Sequence, residues 1–292
     1  MIVDAATLKA LSKSLSKVFI KGLDSVSGDW SKVATKIKSN ALVQSYAWLG
    51  DTPKMREWIG DRVIKDLKAH GYTISKKDFE STIEVDRDDI EYDNIGAVKI
   101  RIKAMGVEAK THYDELLFAL VEANDTCYDG KKFFATDHPI GGVAFSNLGT
   151  AALTQNSYLA GKAEMAGVVS DAGRPLRIKP TLLMVPPELE VAAKNILLKE
   201  RLDNGQSNIT YKDVELFVNP YLTDAKAWYL FDTSKVIPAL IIQENKPIKF
   251  TAMDSTTDEN VFMRKKFRYG TDSQDNAGYG LWQLAYKSTG AA

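Results

Sequence analysis

Residues 94–124 read NIGAVKIRIKAMGVEAKTHYDELLFALVEAN, and the spacing of their apolar side chains decides the architecture. Ile95, Val98, Ile102, Met105, Ala109, His112, Leu116 and Leu120 recur three or four apart. This predicts one helix of about eight turns and roughly 45 Å at 1.5 Å per residue. That is longer than a common globular helix and suits a strut on which other elements are built. Gly106 is its weak point, costing about 1 kcal/mol against alanine unless a close neighbour needs the room.

Upstream, residues 5–21 predict an amphipathic helix: Leu8, Leu11, Leu15 and Val18 share one arc, and Lys9, Lys13, Lys17 and Lys21 lie opposite, with Gly22 as the stop. The narrow apolar arc lacks Trp, which favours docking on protein over a membrane surface. From Trp30 to Asn40, Val33 and Ile37 alternate with Lys32, Lys36 and Lys38, the pattern of a strand exposed on one side. A weakly periodic segment then runs to about Asp93. It holds Tyr46, Trp48, Trp58 and Tyr72 among turn signals, with strand-like stretches at Thr73 to Ser75 and Thr82 to Val85. An extended arm or two-stranded projection that buries its aromatics against a partner fits this composition.

Downstream, Tyr128-Asp129-Gly130-Lys131 signals a tight turn before a loop containing Asp137-His138-Pro139. A helix is expected from Gln155 to Val169 and a buried strand at Leu182 to Val185. Pro187 then opens a helix that buries Leu189, Ala192, Ala193, Ile196 and Leu197. Strands follow at Val214 to Val218, Trp228 to Phe231 and Ala239 to Gln243. The C-terminus predicts an antiparallel ribbon, Val261 to Tyr269 against Trp282 to Tyr286, across a loop at Gly270 to Gly278. The fold class is α+β.

At 292 residues, about two structural units are expected. The apolar stretch Ala239 to Ile242 is far too short to span a bilayer. Lys plus Arg equals Asp plus Glu at 38 each, so no global positive field exists. The zero is a cancellation. Residues 1–77 carry 14 basic and 7 acidic side chains, +7, while residues 78–93 carry one Arg and eight acids, −7. Either both are solvated surfaces, or one subunit's basic segment meets its neighbour's acidic one. The single cysteine, Cys127, excludes an intramolecular disulfide, and the N-terminus shows no signal-peptide pattern, so synthesis and folding in the cytoplasm are expected.

The residues with reactive side chains assemble into no strong motif. Three histidines without metal-ligand spacing argue against a transition-metal site, no glycine-rich loop supports a nucleotide, and the acidic run lacks the glycine of a calcium loop. No cofactor is expected. Asp137-His138 with Cys127 is the best candidate for nucleophilic catalysis. A turn-capping Asp and a backbone-bonded His explain the same residues more simply, so no catalytic residue is assigned.

Several stretches together resemble the Mu-like phage major head subunit family. They are Trp48-Leu49-Gly50, Met55 to Arg62, Phe79 to Thr82, Arg87 to Ile90, Phe133 to Pro139, Leu183 to Leu189, Trp228 to Thr233 and Asn276 to Ala285, in the family's order. The resemblance implies a non-enzymatic major capsid protein of the Hong Kong 97-type fold. It implies an N-terminal arm at 1–29, an extended loop with flanking strands at 30–93, a peripheral domain with the spine helix at 94–150, an axial domain at 151–244, and a peripheral return with C-terminal strands at 245–292. The implied partners are further copies in hexamers and pentamers, packaged double-stranded DNA bound without sequence preference, portal, and scaffold or decoration proteins, with no membrane. The implied location is the virion capsid, assembled in the bacterial host cytoplasm. No scaffold-like segment precedes the arm, so any scaffold is expected to be separate, already removed or unnecessary.

Intersubunit contacts are expected at Lys32, Lys36, Lys38, Trp48, Arg56, Trp58, Arg62, Asp86, Asp88 and Asp89. The stripe Lys9, Lys13, Lys17 and Lys21 is expected to face packaged DNA or acidic protein, with protein slightly favoured. The alternatives are an encapsulin-type cage of the same fold and, in another class, a cytosolic hydrolase using Cys127 and His138.

Overall fold

The computed structural model describes residues 5–46, 71–92, 94–170, 173–202 and 205–291. In chain order they form α1 (Ala5–Leu23), β1 (Ala34–Lys38), β2 (Val43–Ser45), β3 (Thr73–Ser75), β4 (Lys77–Asp86), α2 (Arg87–Glu91) and α3 (Ile95–Ala123). Next come β5 (His138–Ile140), β6 (Val143–Phe145), β7 (Leu148–Gly149), α4 (Gln155–Ala166), β8 (Leu182–Val185), α5 (Glu190–Leu197), β9 (Glu215–Val218) and β10 (Trp228–Phe231). The chain ends with β11 (Leu240–Met253), α6 (Glu259–Arg264), β12 (Lys266–Tyr279) and β13 (Ala285–Ser288).

The expected strut is present as α3, 29 residues long. Its first half buries Val98, Ile102 and Met105 against Leu8, Leu11, Leu15 and Phe19 of α1 and against Val85, Val261, Phe267 and Tyr269. Its second half buries Tyr113, Leu117, Phe118 and Val121 in a larger core with β8, β10 and the chain's end. One helix therefore belongs to both cores. It stops at Asn124, whose left-handed φ of 49° suits a C-terminal cap. The Asn124 side chain then accepts from Phe134 N at 2.7 Å and donates to Phe134 O at 3.0 Å, pinning the loop that follows.

Two larger sheets carry nine of the strands, and β2-β3 and β5-β6 form separate two-stranded ribbons. The first runs in the order β1-β11-β12-β4 and the second β7-β13-β10-β8-β9. β11 is one strand across residue 244, and β13 joins the second sheet by pairing with β10 and β7.

Three local expectations need correction. The C-terminal ribbon does not form: Val261 and Met263 lie in α6, and Gly270 to Gly278, expected as a loop, is the middle of β12. That strand pairs with β11 on one side and β4 on the other. Its inward positions include Thr271, Ser273 and Asp275, all buried, so the two-residue period is carried by polar side chains, with Ser273 donating to Asp275 and the Thr271 hydroxyl left without a hydrogen-bond partner. The strand expected from Trp30 starts only at Ala34, because a short 3-10 turn at Asp29–Lys32 is held by Trp30 N donating to Asp114 Oδ1 at 2.6 Å. Gly22 does not stop α1, which continues to Leu23. It sits at a helix crossing, where a Cβ would strike the Lys103 carbonyl, and Gly106 opposite would strike the Phe19 carbonyl. The glycine that weakens α3 as a helix is what lets α1 lie against it.

Candidate functional site

The sheet order puts the two charged segments on opposite edges of one sheet. β1, with Lys36 and Lys38, is one edge strand and β4, with Glu80, Glu84 and Asp86, is the other. An edge strand presents unpaired backbone groups, and charged side chains there govern what is allowed to pair with it.

On the basic edge, Lys32 lies 2.9 Å from Asp29 and 4.2 Å from the centre of the Phe217 ring. Lys36 is tied inward by an ion pair of 2.7 Å to Glu244, which is buried and also accepts from Tyr113 OH at 3.3 Å. Burial, then the neighbouring Asp275 and Glu244 charges, push the Tyr113 phenol far above its ordinary range. Lys38 is exposed and makes no ion pair among the described residues.

On the acidic edge, two register pairs are complementary: Arg268 meets Glu84 at 3.0 Å and Lys266 meets Asp86 at 2.6 Å. Beyond the neutral Gly270 and Thr82 pair, the next charged pair on the same face is not complementary. Glu80 stands directly opposite Asp272, like charge against like, an arrangement that destabilises a sheet. Both line a cleft of about 220 Å³ with Glu108 and Glu115 of α3, Phe79 and His112. Phe79 and His112 meet with ring centres 4.2 Å apart and planes tilted by 55°, and His112 bonds the fully buried Asp275 at 3.1 Å. Asp88 is exposed, and Asp89 accepts from Asn94 at 3.3 Å. Glu108, Glu115 and Asp272 come from segments far apart in the chain, so no local sequence signal joins them to the acidic run.

The weakly periodic segment rises from a short stem, β2 paired antiparallel with β3. Tyr46 N donates to Tyr72 O at 2.9 Å to close it. Tyr46 OH donates to Gln243 at 3.1 Å and Tyr72 OH accepts from Tyr279 N at 2.7 Å, so both sides are tied to the first sheet. Burial lifts each phenol to about 12. Ile74 sits on Gly278, where a Cβ would collide with it. The glycines near the C-terminus thus serve backbone packing. Trp48, Arg56, Trp58 and Arg62 lie outside the described residues.

Lys9, Lys13, Lys17 and Lys21 are all exposed on α1, as the periodicity requires. Lys99 and Lys103, one turn apart on α3 where the Lys103 backbone meets Gly22 of α1, are exposed as well, and the sequence reading had not joined them to the stripe.

Cys127 and His138 do come together, through Asp129 and not through Asp137. Cys127 Sγ donates to Asp129 Oδ1 at 3.1 Å, and His138 Nδ1 lies 2.6 Å from Asp129 Oδ2. The imidazole stacks on Trp282 with centres 3.8 Å apart and faces Asn147 Oδ1 through Nε2 at 3.2 Å. Asn147 in turn donates to the carbonyls of Phe133, Trp282 and Ala285. Asp137 is on the surface, paired with Lys131. The carboxylate stands between thiol and imidazole, so the base does not touch the nucleophile. Burial, followed by the Asp129 charge and hydrogen bond, pushes the Cys127 thiol far up, which keeps it protonated at neutral pH. Among the described residues this is a group of three side chains able to ligate a metal, yet each ligand atom is already satisfied by another. The arrangement braces the 127–138 loop against the chain's end.

The profile of the family described as Mu-like prophage major head subunit gpT matches residues 8–151, 143–222 and 223–291. The Mu-like prophage FluMu major head subunit of Haemophilus influenzae is 32% identical over 285 residues, covering 97% of this chain and 73% of the relative. The major capsid protein of Escherichia phage Mu is 30% identical over 288 residues, covering 98% and 74%. Among solved structures, a chain of the procapsid of bacteriophage JBD30 superposes with a TM-score of 0.64 at 35% identity, covering 98% of this chain and 76% of that one.

Proposed function

The chain belongs to the Mu-like prophage major head subunit family, and from that premise we propose how its copies join. It is a major capsid protein with the Hong Kong 97-type fold, a component of the phage head. Copies meet edge to edge: the basic β1 side of one faces the acidic β4 side of the next. A head-to-tail contact of this kind closes into rings when its rotation allows, giving the hexamers and pentamers of an icosahedral shell around double-stranded DNA.

The observation that carries this reading is the Glu80 and Asp272 pair within the acidic cleft. Within the monomer Glu80 accepts from the Thr82 hydroxyl at 2.8 Å and Asp272 from the Thr251 hydroxyl at 3.3 Å, but no cation offsets their like charge, and a neighbour's lysine or arginine placed there relieves the repulsion. Lys38 on the opposite edge makes no ion pair among the described residues and is free to serve.

In domain terms, 1–29 is the arm, 30–93 the extended loop with its flanking strands, 94–150 with 245–292 the peripheral unit, and 151–244 the axial unit. The Tyr46 and Tyr72 stem ties the flanking strands of that segment to the first sheet. Assembly takes place in the host cytoplasm, with portal and scaffold or decoration proteins as further partners.

Electron microscopy of the purified chain tests this directly. Wild type is expected to give shells, tubes or capsomer rings. The triple variant Asp86→Lys, Asp88→Lys, Asp89→Lys is expected to remain a folded monomer that assembles poorly. Unchanged particle yield and morphology in that variant would overturn the edge-to-edge contact.

A further inference from the structure

We infer that the outer face formed by α1 and the first half of α3 binds the phosphate backbone of double-stranded DNA without reading its sequence. The inference rests on the shell reading above and says which surface of the subunit looks inward.

Six exposed cations make the face: Lys9, Lys13, Lys17 and Lys21 on α1, and Lys99 and Lys103, one turn apart on the same flank of α3. No carboxylate lies between residues 5 and 23 or between 95 and 107, and none of the six makes an ion pair among the described residues. The Gly22 and Gly106 crossing brings the two rows together, since the α1 backbone at Gly22 lies against the Lys103 backbone.

The chemistry separates nucleic acid from acidic protein. A stable protein interface needs an apolar or aromatic centre and is depleted in lysine. Here all six cations are lysines, and the exposed large apolar side chains are the scattered Ile20 and Ile100. Lysines act on phosphate as point charges. The partly exposed Ser12, Ser14 and Ser16 between them add hydroxyl donors of the kind that bond phosphate oxygens. No Asn or Gln lies within 5–23 or 95–107 to read a base edge. The α1 lysines span 12 residues, about 18 Å of helix, alongside which a duplex presents about ten phosphates.

The test is fluorescence anisotropy of the unassembled full chain with a labelled 24-base-pair duplex, from 50 to 300 mM salt. The variant is Lys13→Ala, Lys17→Ala, Lys103→Ala, and a control carries Lys194→Ala and Lys226→Ala. Wild type and control are expected to bind alike, and the triple variant about tenfold more weakly at 0.1 M salt, with the salt slope reduced by about 2 to 3. Equal binding by the triple variant would overturn the assignment. So would polyglutamate displacing the duplex at equal charge concentration, which would mark the face as a site for acidic protein. Circular dichroism checks the fold, and the milder Lys13→Gln, Lys17→Gln pair replaces the triple variant if it unfolds. Particle formation is scored separately by microscopy. Shells that form normally from a variant that has lost duplex binding support the inference, whereas wild-type chain that binds duplex but forms no particles overturns the shell reading and with it the inward assignment.

Discussion

Gly22 of α1 and Gly106 of α3 mark a backbone-to-backbone crossing, at each of which the other helix's backbone fills the space that a side chain would need. At Gly22 the obstacle is the Lys103 carbonyl; at Gly106 it is the Phe19 carbonyl followed by Leu23 N at 3.0 Å. Neither obstacle is the flexible end of a side chain, so neither can swing aside. The arm helix is therefore attached to the strut by a contact that tolerates no added atom.

Alanine at Gly106 is expected to destabilise the protein in spite of its better helix propensity. Propensity favours the change by about 1 kcal/mol, but forcing a methyl into a closed crossing costs about 1–3 kcal/mol and loosens α1. Gly96, on the same helix with open space around its Cα, is the counter-case, where alanine is expected to stabilise by about 0.5 kcal/mol. Urea denaturation of the two variants measures both signs. A Gly106→Ala protein as stable as wild type would remove the crossing from the account.

Glu80→Lys is expected to improve the monomer and harm the assembly. Opposite Asp272 it converts a repulsive cross-strand pair into an attractive one, about 0.5 kcal/mol in the monomer's favour. The same change takes a carboxylate out of the cleft proposed to receive a neighbour's cation. A higher denaturation midpoint with lower particle yield is the expected combination. A rise in both would show that Glu80 takes no part in the contact.

The parts of this fold written in apolar periodicity were legible from the residues: α1, α3, β8 and β10 lie where the spacing put them. β12 was not, because Thr271, Ser273 and Asp275 occupy positions that pattern reading assigns to apolar side chains. Ser273 and Asp275 are accommodated because Ser273 donates to Asp275 at 2.7 Å and His112 reaches Asp275 from α3, contacts that a linear sequence does not display. Gly22 was misread for a related reason. A glycine after an amphipathic run is the same signal whether it ends a helix or admits a neighbour. The split of the net charge was visible by counting, but the cleft was not, since Glu80, Glu108 and Asp272 belong to three separate segments.

Acid is expected to weaken the Asp129 brace. Burial raises that carboxyl, but the His138, Lys131 and Cys127 hydrogen bonds outweigh it and hold the group below its ordinary range. A depressed carboxyl contributes stability above its unfolded value near pH 4 and loses it as pH falls through the folded value. Asp129→Asn is thus expected to be less stable at pH 7 and to lose less on acidification between about pH 5 and 2. Burial moves Asp114 and Asp254 in the opposite direction, so the difference between variant and wild type is the quantity to read. The same variant relieves the Asp129 charge on Cys127, and faster labelling of the native thiol at pH 8 is expected. Identical acid limbs for the two proteins would contradict the brace.

Lys36 and Lys38 lie two apart on the same edge strand and are expected to behave differently. Lys36 is committed within the chain: its partner Glu244 has a side chain only 7% exposed. Removing the lysine leaves that carboxylate buried with the Tyr113 hydroxyl as its remaining donor, a loss of about 1–3 kcal/mol. Lys38 is exposed, and its removal is expected to leave stability within about 0.5 kcal/mol while lowering particle yield. Denaturation midpoints and particle counts on Lys36→Ala and Lys38→Ala separate the two roles. If Lys38→Ala assembles as well as wild type, the basic edge does not make the contact, and the acidic cleft must draw its cation from another part of the neighbouring chain.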